Sequence, residues 1–193
     1  GEVDAVYIAL PNHLHREYSV RAARAGVHVL CEKPMALTER ECEQMIREAE
    51  EGGTKLMIAY RLHFEEANLK AIDLVQSGKL GNPRLFDSVF TMEVKEGDIR
   101  LNPRQLGGGP LYDIGVYCIN AVRNLFGAEP MEVMAFSANN GDPRFLQCEE
   151  TTSAILRFPG RERLASYKVP ARLVVRKGDD FPRTPTGKVH KPR

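Results

Sequence analysis

Apolar positions follow two different patterns along this chain, and the pattern changes near residue 78. Through residues 1–60, short apolar runs alternate with longer stretches of helical spacing. Residues 3–10 carry Val3, Ala5, Val6, Ile8, Ala9 and Leu10 and read as a buried strand, broken by Pro11-Asn12. Residues 13–25 read as a helix that places Leu14, Tyr18, Val20 and Ala22 on a mixed apolar face, with Gly26 as its C-cap. A strand at 27–30 follows directly. Thr38-Glu39-Arg40-Glu41 has the form of a capping box and opens a helix with Cys42, Met45, Ile46 and Ala49 on one face. Gly52-Gly53 closes that helix, and 55–59 is the next strand. Strand, helix, strand, helix, strand with short connections predicts parallel βαβ units with right-handed crossovers.

After a helix at about 65–77, ended by Gly78, the strands lengthen and helices become few. Residues 84–94, 131–137 and 152–158 read as strands, with one helix at 110–125 ended by Gly127. This predicts a mainly antiparallel sheet with a helix on one face. The fold class is therefore α/β: the C-terminal half of a Rossmann-type parallel sheet, then part of an α+β domain. The units expected are 1–62, 63–165 and a basic tail, 166–193, with irregular structure. An open outer sheet face bearing Val89, Thr91, Val133 and Phe136 would favour self-association.

Composition changes this picture in one respect. The net charge of +1 hides a break: residues 1–160 carry 17 Lys+Arg against 23 Asp+Glu, and residues 161–193 carry 10 against 3. The basic end has only Tyr167 and Phe181 as aromatics, which speaks against nucleic acid. No apolar run approaches membrane-spanning length and no signal peptide is visible. Cys31, Cys42, Cys118 and Cys148 form no C-x-x-C pair, so reduced core thiols in a cytoplasmic protein are expected, with no metal site.

Two motifs carry chemistry. Glu32-Lys33-Pro34 follows the 27–30 strand, and a lysine just past such a strand lies where open α/β sheets bind ligands. The proline fixes the turn and leaves the cis form open. Taken alone, such a lysine reads as a solvated surface residue. Gly107-Gly108-Gly109-Pro110 then leads into a helix on which Asp113 and Tyr117 stand one turn apart. Taken alone, Asp113 reads as a first-turn carboxylate and Tyr117 as a packing residue. Together the motifs suggest more. A Lys33 ammonium beside Tyr117 would favour the phenolate and lower a pKa that starts near ~10. A Tyr–Lys proton-transfer couple at a Rossmann-type sheet edge suits hydride transfer, in which an alcohol loses a proton as hydride leaves its carbon.

With these motifs, Ala9-Leu10-Pro11-Asn12-His13-Leu14-His15 and Tyr60-Arg61-Leu62-His63 make the chain from about 3 to 166 resemble the Gfo/Idh/MocA oxidoreductases, nearest their glucose–fructose oxidoreductase-like branch. The resemblance implies a sugar or polyol dehydrogenase using NAD or NADP. It implies that Lys33 contacts the nicotinamide region and substrate, that Tyr117 is the acid/base and that Asp113 holds substrate. It places Pro11, Asn12, His15, Glu32 and Arg61 with Lys33 around the dinucleotide. No G-x-G-x-x-G occurs in the 193 residues. By resemblance the first half of the Rossmann fold lies upstream of Gly1, so weak cofactor binding and impaired activity are expected. Ser166-Tyr167-Lys168-Val169-Pro170 and the run from Phe181 to Lys188 resemble instead the C-terminal end of adenylate-forming acyl-CoA synthetases, where Lys188 matches the adenylation lysine.

Overall fold

A computed structural model describes residues 2–160 and 163–170. Three parallel strands, β1 (Ala5–Ile8), β2 (His28–Glu32) and β3 (Leu56–Ala59), lie side by side in that order. Helices α1 (His15–Arg24) and α2 (Glu39–Glu51) make the crossovers. Their apolar faces pack a core in which Val20 and Met45 meet Ile8, Val29 and Cys31. Burial pushes the Cys31 thiol up to about 11. The capping box forms as the sequence predicts. Thr38 Oγ1 accepts from Glu41 N, and the Glu41 carboxylate accepts from Thr38 N. Strand β2 runs two residues beyond the predicted 27–30, so Glu32 is its last residue and Lys33 opens the turn.

Helix α3 (Glu66–Gln76) leads to a mixed sheet. β4 (Leu85–Val89), β5 (Glu132–Ala138), β6 (Thr151–Phe158) and β7 (Arg163–Pro170) stand in the order β4-β7-β6-β5. β4 is parallel to β7, while the other pairings are antiparallel. Helix α4 (Val116–Phe126) covers one face, with Cys118, Val122 and Phe126 packed on Ala154, Leu156, Phe158 and Tyr167.

Three features depart from the sequence expectation. The predicted strand at 84–94 ends at Val89. Beyond it Phe90 and Met92 turn onto the α4 core, and Val94 joins a small cluster with Phe145 and Cys148. Those side chains are anchored by two different cores, which a straight strand could not reach. The predicted helix at 110–125 begins with a π-helical turn, Leu111–Gly115, before α4. The boundary expected at 166, with irregular structure after it, falls inside β7, an interior strand of the sheet that continues to Pro170. Lys188 and the rest of the basic run from 171 lie outside the described residues. Among the described residues, no helix is long and apolar enough to cross a membrane.

Candidate active site

The two motifs meet. Lys33 sits at the C-terminal end of β2, and its peptide bond to Pro34 is cis. Lys33 Nζ donates to Asp113 Oδ1 at 2.8 Å and to the Asp113 carbonyl at 2.5 Å. Both side chains are nearly buried, at 14% and 12% exposure. An ammonium has three donors, so Lys33 keeps one. The same Nζ lies 5.2 Å from the centroid of the Tyr117 ring, a cation–π distance. The π-helical turn lies between Pro110 and α4, so one ammonium touches the backbone and carboxylate of Asp113 and the ring of Tyr117.

Sequence reasoning missed Arg100. Its Nε donates to Asp113 Oδ2 at 2.7 Å, and its Nη1 reaches Asp98. Asp113 therefore stands between two cations. The Arg100 carbonyl also accepts from Gly109 N at 2.9 Å, which ties the glycine run to the same loop. No local pattern marks Arg100, because it comes to Asp113 only through the path of residues 90–109. The glycines are sterically required. A Cβ on Gly107 would lie 2.6 Å from Asn12 Cβ, and one on Gly108 would collide with the Asn102 carbonyl.

The expected lowering of the Tyr117 pKa is reversed. Burial pushes the phenol up, Glu32 adds to the rise, Arg61 pulls it down and Asp113 pushes it up again. Lys33 lies against the ring, with its charge compensated by Asp113. The group present at neutral pH is the protonated phenol.

A cleft of about 240 Å³ opens at the ends of β1 and β2, bordered by Tyr7, Pro11, Asn12, Glu32, Lys33 and Arg100. Glu32 braces it, since Oε1 accepts from the Tyr7 hydroxyl at 2.5 Å and Oε2 from Lys33 N at 3.1 Å. Asn12 Nδ2 donates to the Gly107 carbonyl at 2.9 Å and closes the far wall. Two residues grouped here by resemblance stand elsewhere. His15 is fully buried, with its ring nitrogens 2.8 Å from the Pro34 and Leu10 carbonyls, so it fastens the Lys33-Pro34 turn to the 10–12 loop and has no surface for a ligand. Arg61 lies outside the cleft in an exposed pair with Glu65.

Residues 1–60 match the model of the oxidoreductase family with an NAD-binding Rossmann fold, and residues 68–174 match the Gfo/Idh/MocA C-terminal domain. The chain belongs to the Gfo/Idh/MocA oxidoreductase family. It is 41% identical over 175 residues to an uncharacterised oxidoreductase of Rhizobium meliloti, covering 91% of this chain and 51% of that protein. It is 36% identical over 162 residues to the NADP-dependent D-xylose 1-dehydrogenase of Haloarcula marismortui, covering 81% of this chain and 45% of that one. The crystal structure of aldose-aldose oxidoreductase from Caulobacter crescentus superposes with a TM-score of 0.83 at 44% identity, covering 88% of this chain and 51% of that one. The chain spans about half the length of the curated relatives it matches. Within the family frame, β1–β3 belong to the Rossmann part and Lys33 bridges to the helix of the C-terminal domain.

Proposed function

We propose that this chain carries the substrate and nicotinamide end of an NAD(P)-dependent sugar or polyol oxidoreductase site. The observation that carries the reading is the meeting of Lys33 Nζ with both Asp113 and the Tyr117 ring. The cleft at the ends of β1 and β2 suits a flat polar ring, with Pro11 and Asn12 on one side and Glu32 and Lys33 on the other. A nicotinamide bound there supplies or accepts the hydride. In carbonyl reduction, Tyr117 gives its proton to the oxygen as hydride reaches the carbon. Lys33 donates its remaining N–H to that oxygen. Asp113 and Arg100 keep Lys33 in place, and water returns the proton to Tyr117. In alcohol oxidation the same phenol must first lose its proton, so the raised pKa makes reduction the easier direction near neutral pH.

The pyrophosphate-seating glycine turn has no counterpart in these residues, so the 193-residue chain should bind dinucleotide only at micromolar strength or weaker. A fluorescence titration that gives a nanomolar Kd would contradict this. The activity test is single-turnover reduction of keto-sugars at saturating reduced nicotinamide. Turnover lost in Lys33→Met and Tyr117→Phe is the expected result, and turnover unchanged in both would refute the reading.

A self-associating sheet is a second reading, favoured by the outer face of the mixed sheet. Leu85, Val89, Met134, Phe136, Ile155 and Leu164 are all exposed there. Val133 pairs with the buried Leu156 and so belongs to the opposite face. A chain that sediments strictly as a monomer would count against this reading.

A further inference from the structure

A second cavity, of about 230 Å³, lies between α3, α4 and β4. Tyr117 lines this second cavity, while Lys33, Asp113 and Arg100 line the first. The two cavities come near each other at this pair, since Lys33 Nζ lies 5.2 Å from the centroid of the Tyr117 ring. The Lys33 cleft carries the charged and amide side chains of Asn12, Glu32, Lys33, Arg100, Asn102 and Asp113 among apolar ones such as Leu10 and Ile99. The second cavity is lined mainly by apolar side chains, among them Leu62, Ile72, Phe86, Phe90 and Leu125, with His63 and Asn120 as polar groups at its wall. Ser88 Oγ is buried without an oxygen or nitrogen partner among the described residues, and the adjacent Cys118 thiol is only a weak donor. Asn68 already gives its Nδ2 to the Leu62 carbonyl.

A pyranose placed in this second cavity would leave most of its hydroxyls without partners, a loss of free energy that the Lys33 cleft avoids. Volume points the same way. Apolar cavities of about 150 Å³ admit benzene, so this one holds a six-membered carbon ring with a short attachment. We infer that the second cavity is a subsite for an apolar substituent on the sugar, and that the chain takes glycosides of apolar alcohols with the sugar on the Lys33 side of Tyr117. This inference rests on the sugar oxidoreductase reading for the first cleft, and the cavity can be tested apart from it.

The test is equilibrium binding to the 193-residue chain, followed by NMR of the Ile, Leu and Val methyls. The probes are phenyl β-D-glucopyranoside, methyl β-D-glucopyranoside and free phenol. Phenyl glucoside should bind about tenfold more tightly than methyl glucoside and shift the Ile72 and Leu125 methyls. Ala121→Phe, which places a ring in the cavity, should remove that advantage and leave methyl glucoside unaffected. Ala71→Phe, at an exposed position of α3, should do the same and serves if the first variant does not fold. Equal affinity for the two glucosides, or an advantage that survives the blocking variant, would overturn the inference. Phenol should shift the same methyls, and its failure to do so would overturn the cavity itself. Phenol bound there with neither glucoside held would support an apolar cavity and refute the sugar reading of the adjoining cleft.

Discussion

Replacing Asp113 by Asn should destabilise the chain more than any other single change in the site. Asp113 is 12% exposed and accepts from Lys33 Nζ at 2.8 Å and Arg100 Nε at 2.7 Å. An asparagine keeps one acceptor oxygen and turns an N–H₂ toward the other cation. Removing one partner of a buried pair costs about 3–5 kcal/mol, because a charge is left unpaired in low dielectric. Arg100 is 40% exposed and recovers part of its hydration, so the cost here falls to about 2–4 kcal/mol. For a chain of this size, about 1 kcal/mol moves Tm by about 2–4 °C, so a fall of about 6–12 °C is expected near the middle of that range. Thermal unfolding followed by circular dichroism measures the shift, and urea denaturation the free-energy difference. The double variant Lys33→Met/Asp113→Leu removes the more buried pair and leaves Arg100 with Asp98, so it should recover part of the loss. A stability for Asp113→Asn within about 0.5 kcal/mol of the parent would mean that the pair behaves as a solvated surface bridge, and the argument for a desolvated Lys33 would fail.

Further expectations concern pH, caps and accessibility. Because burial and Glu32 raise the Tyr117 phenol above its ordinary value, its basic form is gained only in alkaline solution, and alcohol oxidation should keep rising as the pH is raised. Tyr117→Phe should abolish this limb, and Glu32→Gln, which removes a charge that raises the phenol, should move it to lower pH in a rate–pH profile. Thr38→Ala should cost about 1 kcal/mol in denaturant melts, since it removes the side-chain half of a reciprocal cap. Alkylation mapped by mass spectrometry at pH 9 should label the half-buried Cys42 and leave Cys31 unmodified until the chain is unfolded, because Cys31 is fully enclosed and its thiol is pushed up to about 11.

Local signals carried much of the architecture. The capping box at Thr38, the Gly127 stop and the apolar runs of β1, β2 and β3 each act over a few residues, and each is formed. Lys33 was legible because a turn after a parallel strand fixes where a side chain emerges. What escaped the sequence depends on distant contacts. Arg100 joins Asp113 only because Phe90, Met92 and Val94 draw the intervening chain onto two cores. The end of β4 has the same cause, and the π-helical turn carries no period distinct from the helix it opens. The direction of the Tyr117 pKa does not follow from an ammonium nearby, because that ammonium brings its own counterion. Lys33 contacts the ring and Asp113 compensates it, so burial and Glu32 prevail.

The most direct test of the account is single-turnover hydride transfer from reduced nicotinamide to a keto-sugar, compared between the parent chain and Tyr117→Phe at neutral pH with cofactor saturating. General acid catalysis contributes about 10²–10⁴-fold, so the phenylalanine variant should lose at least about a hundredfold in rate while binding the sugar nearly as well. Equal rates in the two proteins would contradict the assignment of Tyr117 as the proton donor.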